Sequence, residues 1–505
     1  MEAGRGEAQR QARIAKWQAW RDRGQDPYRR TRFARTHLAG DIVSGHPAND
    51  GQSASVAGRI LAIRGHGQAA FLDLHDPSGR VQLHVTAEAP DALALVEGLD
   101  LGDHVGAEGT VFKTRRGEVS LAVTRLVPLS KNFRGMPDKR HGLTDPDLRY
   151  RQRYVDLMTN PESVHTFQVR SAAVRLMRAH LEDEGFIEVE TPVLVPIAGG
   201  GMARPFRTHH NALHRDLYLR IATELYLKRL IIGGFERVYE IGRVFRNEGV
   251  DANHGAEFTM LELYWAYVGY EEIMSLVERL LAHLCQALTG GLVLDVEGVR
   301  LDFTPPYPRI DMVERFRERT GRDLLDMDSK ERALAAARDL GVRLDPGLTR
   351  VQVLDKLVSA VVERDLVQPT FLVHHPVDIS PLAKRRAADP RTTERFELFC
   401  RGTELANAFS ELNDPFDQRE RFMAQVRERD EGNDELPELD EDFLLALEHG
   451  MPPTGGLGIG VDRVAMLLAG VTSIRDVVLF PMLRGAAPTP RPSTDIMDPS
   501  HGPDS

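Results

Sequence analysis

Three stretches of this chain carry polar residues too dense to build a core. In "RNEGVDANHGAEFTMLELYWAY", residues 246–267, Arg246, Glu248, His254, Glu257, Glu262 and Tyr264 interrupt a run as apolar as a buried strand. Side chains at i and i+2 share one face of a strand, which predicts Arg246 beside Glu248 and Glu262 beside Tyr264. If Phe258 returns the chain antiparallel after a loop at 250–256, all of these converge on one concave sheet surface. One such pair alone reads as an exposed hairpin with surface ion pairs. A second hairpin, "ERFELFCRGTELANAFSELND", repeats the pattern: Asn407, Phe409 and Glu411 share a face, and Glu397 and Glu404 flank a turn at 401–403. Carboxylates brought together are costly unless a cation neutralises them, and hard oxygen donors suit Mg²⁺. The third stretch, "GGLGIGVDRVAMLL", places Gly456, Gly458 and Gly460 before a helix starting near Asp462, with Arg463 in its first turn. Such glycines permit close backbone approach to a ligand. The chain has no G-x-x-x-x-G-K-[ST] loop, so phosphates must be gripped in another way.

The elements that must position these residues follow from periodicity. Ile14, Trp17 and Trp20 lie at helical spacing near the N-terminus, before a Gly-x-x-Pro stop. Residues 51–130 read as five short strands with a turn at 76–79 and a helical connection near 90–98, predicting a small OB-type β-barrel. Residues 1–50 form a basic helix and connection, and 131–165 a linker. From 166 to 484, long helices (166–184, 271–289) mix with hairpins and show no βαβ alternation, predicting an α+β domain on an antiparallel sheet, with 305–365 a helical insertion. The tail 485–505, rich in Pro and Ser, is expected to be disordered.

The three polar stretches, with "GFIEVETPVL" at 185–194, resemble the three motifs of class II aminoacyl-tRNA synthetases in their order. "THHNAL", "IATELYLKRLIIGGFERVYEIGRVFRNEG", "NAFSELND" and "MPPTGGLGIG" narrow the resemblance to bacterial-type lysyl-tRNA synthetases over residues 10–484. The resemblance implies an enzyme that activates lysine with ATP to an adenylate and transfers it to the 3′ end of tRNA(Lys). It implies that Arg246 binds the α-phosphate, Glu248 reads the adenine amino group, and Phe258 stacks on the base. His254 and Arg463 would hold the triphosphate, Arg246 and Arg463 being the catalytic pair, and Glu397 and Glu404 would ligate Mg²⁺. A carboxylate nucleophile needs no side-chain base, so positioning and charge neutralisation carry the reaction.

For lysine, the resemblance implies that Gly200 and Glu224 meet the α-amino group and Glu411 and Tyr264 the ε-ammonium, with Glu262, Asn407 and Phe409 shaping the pocket. An acidic lining independently favours a cationic amino acid, since an unpaired buried charge is very costly. In the barrel it implies Phe71 stacked on the central anticodon base, with Arg64, Gln82 and Glu118 as further contacts. Segment 170–194 would form a homodimer interface. The sequence departs from the family at "NHGAEF", where Asn253 stands for a phosphate-gripping arginine and Gly255-Ala256 for Asn-Pro, and at Asp378, where Glu is frequent.

The net charge of −11 argues against a protein that simply coats nucleic acid, although a local basic patch can still bind one, and residues 1–40 hold ten Lys or Arg against four Asp or Glu. Cys285 and Cys400 form no CxxC pair, which fits a reducing cytoplasm. No 18-residue apolar run or secretory leader occurs, so neither a membrane span nor export is expected. His209-His210-x₃-His214 lacks the thiolates or carboxylates of a zinc site. Two alternatives stay open: a paralogue charging another acceptor, and a regulatory RNA-binding protein that has lost catalysis.

Overall fold

The computed structural model describes residues 2–483 and Gly485, except Gly67, 138–142, Val250, 431–435 and Pro437. The expected disordered tail otherwise lies outside the described residues. The chain divides into two compact units, Met1–Asp145 and Pro146–Ser505.

In the first unit, helix α1 (Glu2–Asp22) precedes a closed barrel of β1 (Ser53–His66), β2 (Ala69–Asp76), β3 (Gly79–Thr86), β4 (His104–Lys113) and β5 (Val119–Ser130). A short helix α2 (Pro90–Val96) connects β3 to β4, where the sequence predicts one. Antiparallel pairing runs through β2–β1–β4–β5 and β2–β3, and a parallel β3–β5 pair closes the ring. Alternation sorts the side chains: Leu72, Leu74, Val81 and Leu83 fill the core, whereas Phe71 and Gln82 lie outside it, half-buried. Trp20 of α1 is buried in the same core. Arg13 is buried too, donating to the main-chain carbonyls of Asn132 and Arg134 at 2.9 and 2.6 Å, so part of the basic character of α1 serves packing.

The second unit is built on an eight-stranded sheet. Its strands are β6 (Ile187–Glu188), β7 (Arg237–Phe245), β8 (Glu257–Ala266), β9 (Arg309–Asp311), β10 (Thr370–Val373), β11 (Arg395–Cys400), β12 (Thr403–Ser410) and β13 (Thr454–Gly460), in the order β9-β10-β11-β12-β13-β8-β7-β6. The six central strands are antiparallel, as expected, but the short edge strands β6 and β9 pair parallel to their neighbours, so the sheet is mixed. Helices α3 (Pro161–Asp183) and α5 (Tyr270–Thr289) cover one face. Between them in sequence, α4 (Glu224–Ile232) belongs to a separate core with Val238 and Tyr264.

The period of two on the central strands separates core from site. Leu261 and Leu263, Phe396 and Leu398, Ala406 and Ala408, and Leu457 and Ile459 all join the core under α3 and α5. Each buried aliphatic side chain contributes roughly 1.5–3 kcal/mol there. The residues between them, Glu262, Glu397, Asn407 and Gly458, face a cavity on the other side. Region 305–365 is mostly helical, with helices at Met312–Thr320, Lys330–Asp339 and Arg350–Val361 on a core of their own that includes Phe316, Leu354 and Leu357.

Candidate active site

A cavity of about 460 Å³ opens on the sheet face away from α3 and α5. Its floor is set by pairing register: Gly458 stands between Glu262 and Asn407, and Gly456 between Tyr264 and Phe409. The glycines keep β13 low while the flanking side chains rise on either side. At Gly456 the constraint is steric, because a Cβ would run into Glu411 Oε1 and the Tyr264 ring. Gly200, at φ +85°, brings a second glycine-rich segment to the wall, where a Cβ would press on Ala222 and Glu224 at 3.2 Å.

One end of the cavity is cationic. Arg246 was expected on a strand with Glu248; instead β7 ends at Phe245, and both residues lie in the following loop. The Arg246 N–H donates to the Ala256 carbonyl at 2.9 Å, the last bond before the loop opens, so i, i+2 alternation does not apply beyond it. The Arg246 guanidinium sits 5.1 Å over the Phe258 ring, and its buried Nε has no hydrogen-bond partner among the described residues. An orphaned buried cationic donor is costly without an acceptor, which an anionic ligand supplies. Glu248 and His254 are exposed on the loop that lines the cavity. Asp251 shapes that loop by accepting the N–H groups of Asn253 and His254 at 2.7 and 2.8 Å. Arg463, in the first turn of helix α6 (Val461–Ala469), reaches back to His254, Nη2 to Nε2, at 3.5 Å.

Glu397 and Glu404 lie on the paired strands β11 and β12. Burial pushes the Glu397 carboxyl up, but Arg395 at 2.6 Å and His375 at 3.3 Å outweigh it and hold it down at about 2. An ionised carboxylate with a second one on the next strand is an all-oxygen donor set, which fits a hard divalent cation. Asp355, from the helical region, also lines this end; burial and then the charge of Glu397 raise its carboxyl.

The other end is acidic and closed. Glu224, Glu262 and Glu411 are all buried, and Tyr264 and Phe409 lie beside them. Glu262 accepts the Thr223 N–H at 3.0 Å, yet burial pushes its carboxyl up to about 7. Burial and the carboxylates of Glu224 and Glu411 hold the Tyr264 phenol well above its ordinary range. Thus Arg246, Glu248, His254, Phe258, Glu397, Glu404 and Arg463 share one cavity with Gly200, Glu224, Glu262, Tyr264, Asn407, Phe409 and Glu411.

On the barrel, Phe71 stacks on His84 with ring centroids 4.6 Å apart and planes 12° off parallel. Pairing aligns Arg64 with Phe71, and Asp73 with Gln82. Arg64 grips Asp73 at 2.6 and 3.1 Å, Gln82 accepts from Ser120 at 3.0 Å, and Glu118 pairs with Arg80. Of the histidine run, His209 bonds Asp216 at 2.7 Å and His210 caps the Leu213 N–H at 3.2 Å.

Sequence reasoning missed Lys228, Asp462, Asp73 and His84. Asp462 accepts the Thr259 N–H at 2.7 Å and pairs with Arg170 at 2.7 Å, fixing α6 against β8. Its signal in the sequence is an acid in the first turn of an otherwise apolar helix; that of Asp73 and His84 is their i+2 spacing from Phe71 and Gln82.

Residues 145–484 match the class II tRNA synthetases (D, K and N), and residues 54–129 the OB-fold nucleic acid binding domain. The chain belongs to the class II tRNA synthetases. It is 50% identical over 474 residues to the lysine–tRNA ligase of Moorella thermoacetica, covering 94% of this chain and 97% of that one. It is 49% identical over 485 residues to the lysine–tRNA ligase of Bacillus subtilis, with the same coverages. Within its class, it is a member of the lysine–tRNA ligase family.

Proposed function

We propose that the cavity forms lysyl-adenylate from lysine and ATP, and that the lysyl group then passes to the 3′ end of tRNA(Lys). One observation carries this reading: a single cavity holds, at one end, the half-buried Arg246, whose buried Nε has no hydrogen-bond partner among the described residues, and three buried carboxylates at the other. The cationic end suits a triphosphate and the acidic end a diamino acid. The carboxylate of lysine, seated between them, attacks the α-phosphorus, and the P–O bond to pyrophosphate breaks. Arg246 holds the α-phosphate and neutralises the charge that develops on it, while Arg463 and His254 hold the departing phosphates. Phe258 and Glu248 seat the adenine. Glu397 and Glu404 would hold Mg²⁺, which supplies charge neutralisation between phosphates. A terminal hydroxyl of the tRNA then attacks the adenylate carbonyl, and AMP leaves.

Glu224 and Gly200 receive the α-ammonium, Glu411 and Tyr264 the ε-ammonium, and Glu262, Asn407 and Phe409 the space between. Arg64, Phe71, Gln82 and Glu118 form the anticodon-facing surface of the barrel. Ile187, Val193 and Leu194, all exposed in the 185–194 segment, support pairing of two copies through this face. Among the described residues no helix is long and apolar enough to cross a membrane; we place the enzyme in the cytoplasm, with its translation substrates.

Lysine-dependent ATP–pyrophosphate exchange tests the first step; exchange supported equally by aspartate would sink it. Charging of total tRNA with each of the twenty amino acids tests the second, and lysine alone is expected to be transferred.

A further inference from the structure

Lys228 is fully buried one helical turn after Glu224 and does not line the cavity. Its Nζ lies 2.6 Å from Glu224 Oε1 and forms an ion pair with Glu411 Oε2. The same nitrogen sits 5.5 Å from the Phe409 ring centroid and 6.0 Å from those of Tyr264 and Phe443, an aromatic cage behind the pocket wall. Both Glu411 oxygens are buried, Oε2 held, among the described residues, only by its ion pair with Lys228, and Oε1 lies against the cavity floor, where a Cβ on Gly456 would collide with it.

Three carboxylates, Glu224, Glu262 and Glu411, meet one ammonium, so when all are ionised two negative charges exceed it. A free lysine brings two ammonium groups. We propose that Lys228 is the resident counter-ion of the amino-acid pocket and a specificity-determining positioning residue: it cancels one carboxylate charge and turns Glu411 Oε1 toward the cavity, so that the pocket accepts a diammonium amino acid. The proposal rests on the assignment of this cavity end to lysine. The titratable groups facing Lys228 are Glu224 on its own helix, Glu411 after β12 and Tyr264 on β8, with Glu262 beyond them. Burial drives Glu262 and Glu411 toward protonation, and Lys228 opposes it at Glu411. Without Lys228 the pocket takes up an additional proton, which incoming lysine must displace.

The test is K228M, of similar length and without charge, in lysine-dependent pyrophosphate exchange. The lysine KM is expected to rise roughly tenfold or more near neutral pH, the loss of about one charge-assisted hydrogen bond. The ATP KM is expected to stay within about twofold, since phosphate contacts are untouched. The lysine defect shrinks as pH is raised, because the surplus carboxylates then ionise unaided. An unchanged lysine KM, or a defect equal at every pH, overturns the proposal. If K228M does not fold, the wild-type protein decides: calorimetry of lysine binding in buffers of unlike ionisation heat should count one or two protons released. None, or one for each of the three carboxylates, overturns it. A wild-type protein without lysine-dependent exchange sinks instead the assignment of the cavity to lysine.

Discussion

Arg463 donates through Nη1 to the main-chain carbonyl of Glu404 at 2.6 Å, and the same nitrogen lies 3.4 Å from the Glu404 carboxylate. This ties the first turn of α6 to the start of β12, so the cation proposed for the phosphates and the carboxylate proposed for the metal are held as one unit. With Nη2 directed at His254, the guanidinium serves three partners in a fixed fork. A lysine ammonium cannot reproduce that geometry. R463K is therefore expected to lower kcat of pyrophosphate exchange by about 10²–10³-fold, the usual cost of one lost transition-state donor. Steady-state exchange kinetics measure it; a loss confined to the lysine KM would contradict the assignment of Arg463 to phosphate.

Gly456 floors the acidic half of the site, between Tyr264 and Phe409. A Cβ there collides with Glu411 Oε1 and the Tyr264 ring, both on the acidic side. Overpacking of this kind costs about 1–3 kcal/mol. G456A should accordingly raise the lysine KM by roughly 5- to 150-fold at that cost, with a far smaller change in the ATP KM. Equal damage to both constants would mean that the strand, not the pocket, has moved.

The buried Glu262 makes stability depend on pH in a defined direction. Its carboxyl is raised from 4.5 to about 7 by burial, so between these values the folded protein binds more protons than the unfolded chain. Stability from this group falls as pH rises through that window, and its cost is fully present above about pH 7. E262Q keeps an acceptor for the Thr223 N–H without the charge. Relative to the wild type, the ligand-free variant should gain up to about 3 kcal/mol between pH 4.5 and 7 and nothing further above it. Denaturant unfolding at several pH values measures the difference, and a gain that continues to grow beyond pH 8 would point to another group.

Phe71 is half-buried on the outer face of the barrel, while its neighbours Ala70 and Leu72 are in the core. Truncating it removes no inward packing. Stacking of a base on an aromatic ring is worth about 1–3 kcal/mol, so F71A should raise the tRNA KM roughly 5- to 150-fold in aminoacylation. Lysine-dependent pyrophosphate exchange, which needs no tRNA, should be unaffected. A fall in both assays would place Phe71 in the stability of the barrel.

These residues show where the sequence was legible. Glu262 and Tyr264, or Asn407 and Phe409, announce a shared face because strand alternation is local, and the glycines of β13 announce a close approach because no other residue fits. Arg246 and Glu248 share the cavity but not a strand, since alternation fails where the ladder ends. Lys228 was beyond reach: Glu224 is its neighbour at i+4, but Glu411 comes from 183 positions later and only packing joins them. Asp462 and Thr259, and His84 and Phe71, are likewise contacts made by the fold.

Asn253 stands where the family resemblance calls for a phosphate-gripping arginine, and the surrounding loop is held by other means. Asp251 accepts the N–H groups of Asn253 and His254, and the Ala252 carbonyl accepts the Ile474 N–H at 2.8 Å. The Asn253 side chain is exposed at the cavity rim, so a longer cation can be accommodated without disturbing these main-chain bonds. N253R is expected to lower the ATP KM by about 3- to 10-fold, the value of one partly exposed charge-assisted hydrogen bond. The gain should weaken as salt is raised, because the added charge lies at the solvent edge. Exchange kinetics at two ionic strengths decide the matter. If the ATP KM does not fall, His254 and Arg463 already saturate the phosphate end, and the loop has dispensed with its arginine at no loss.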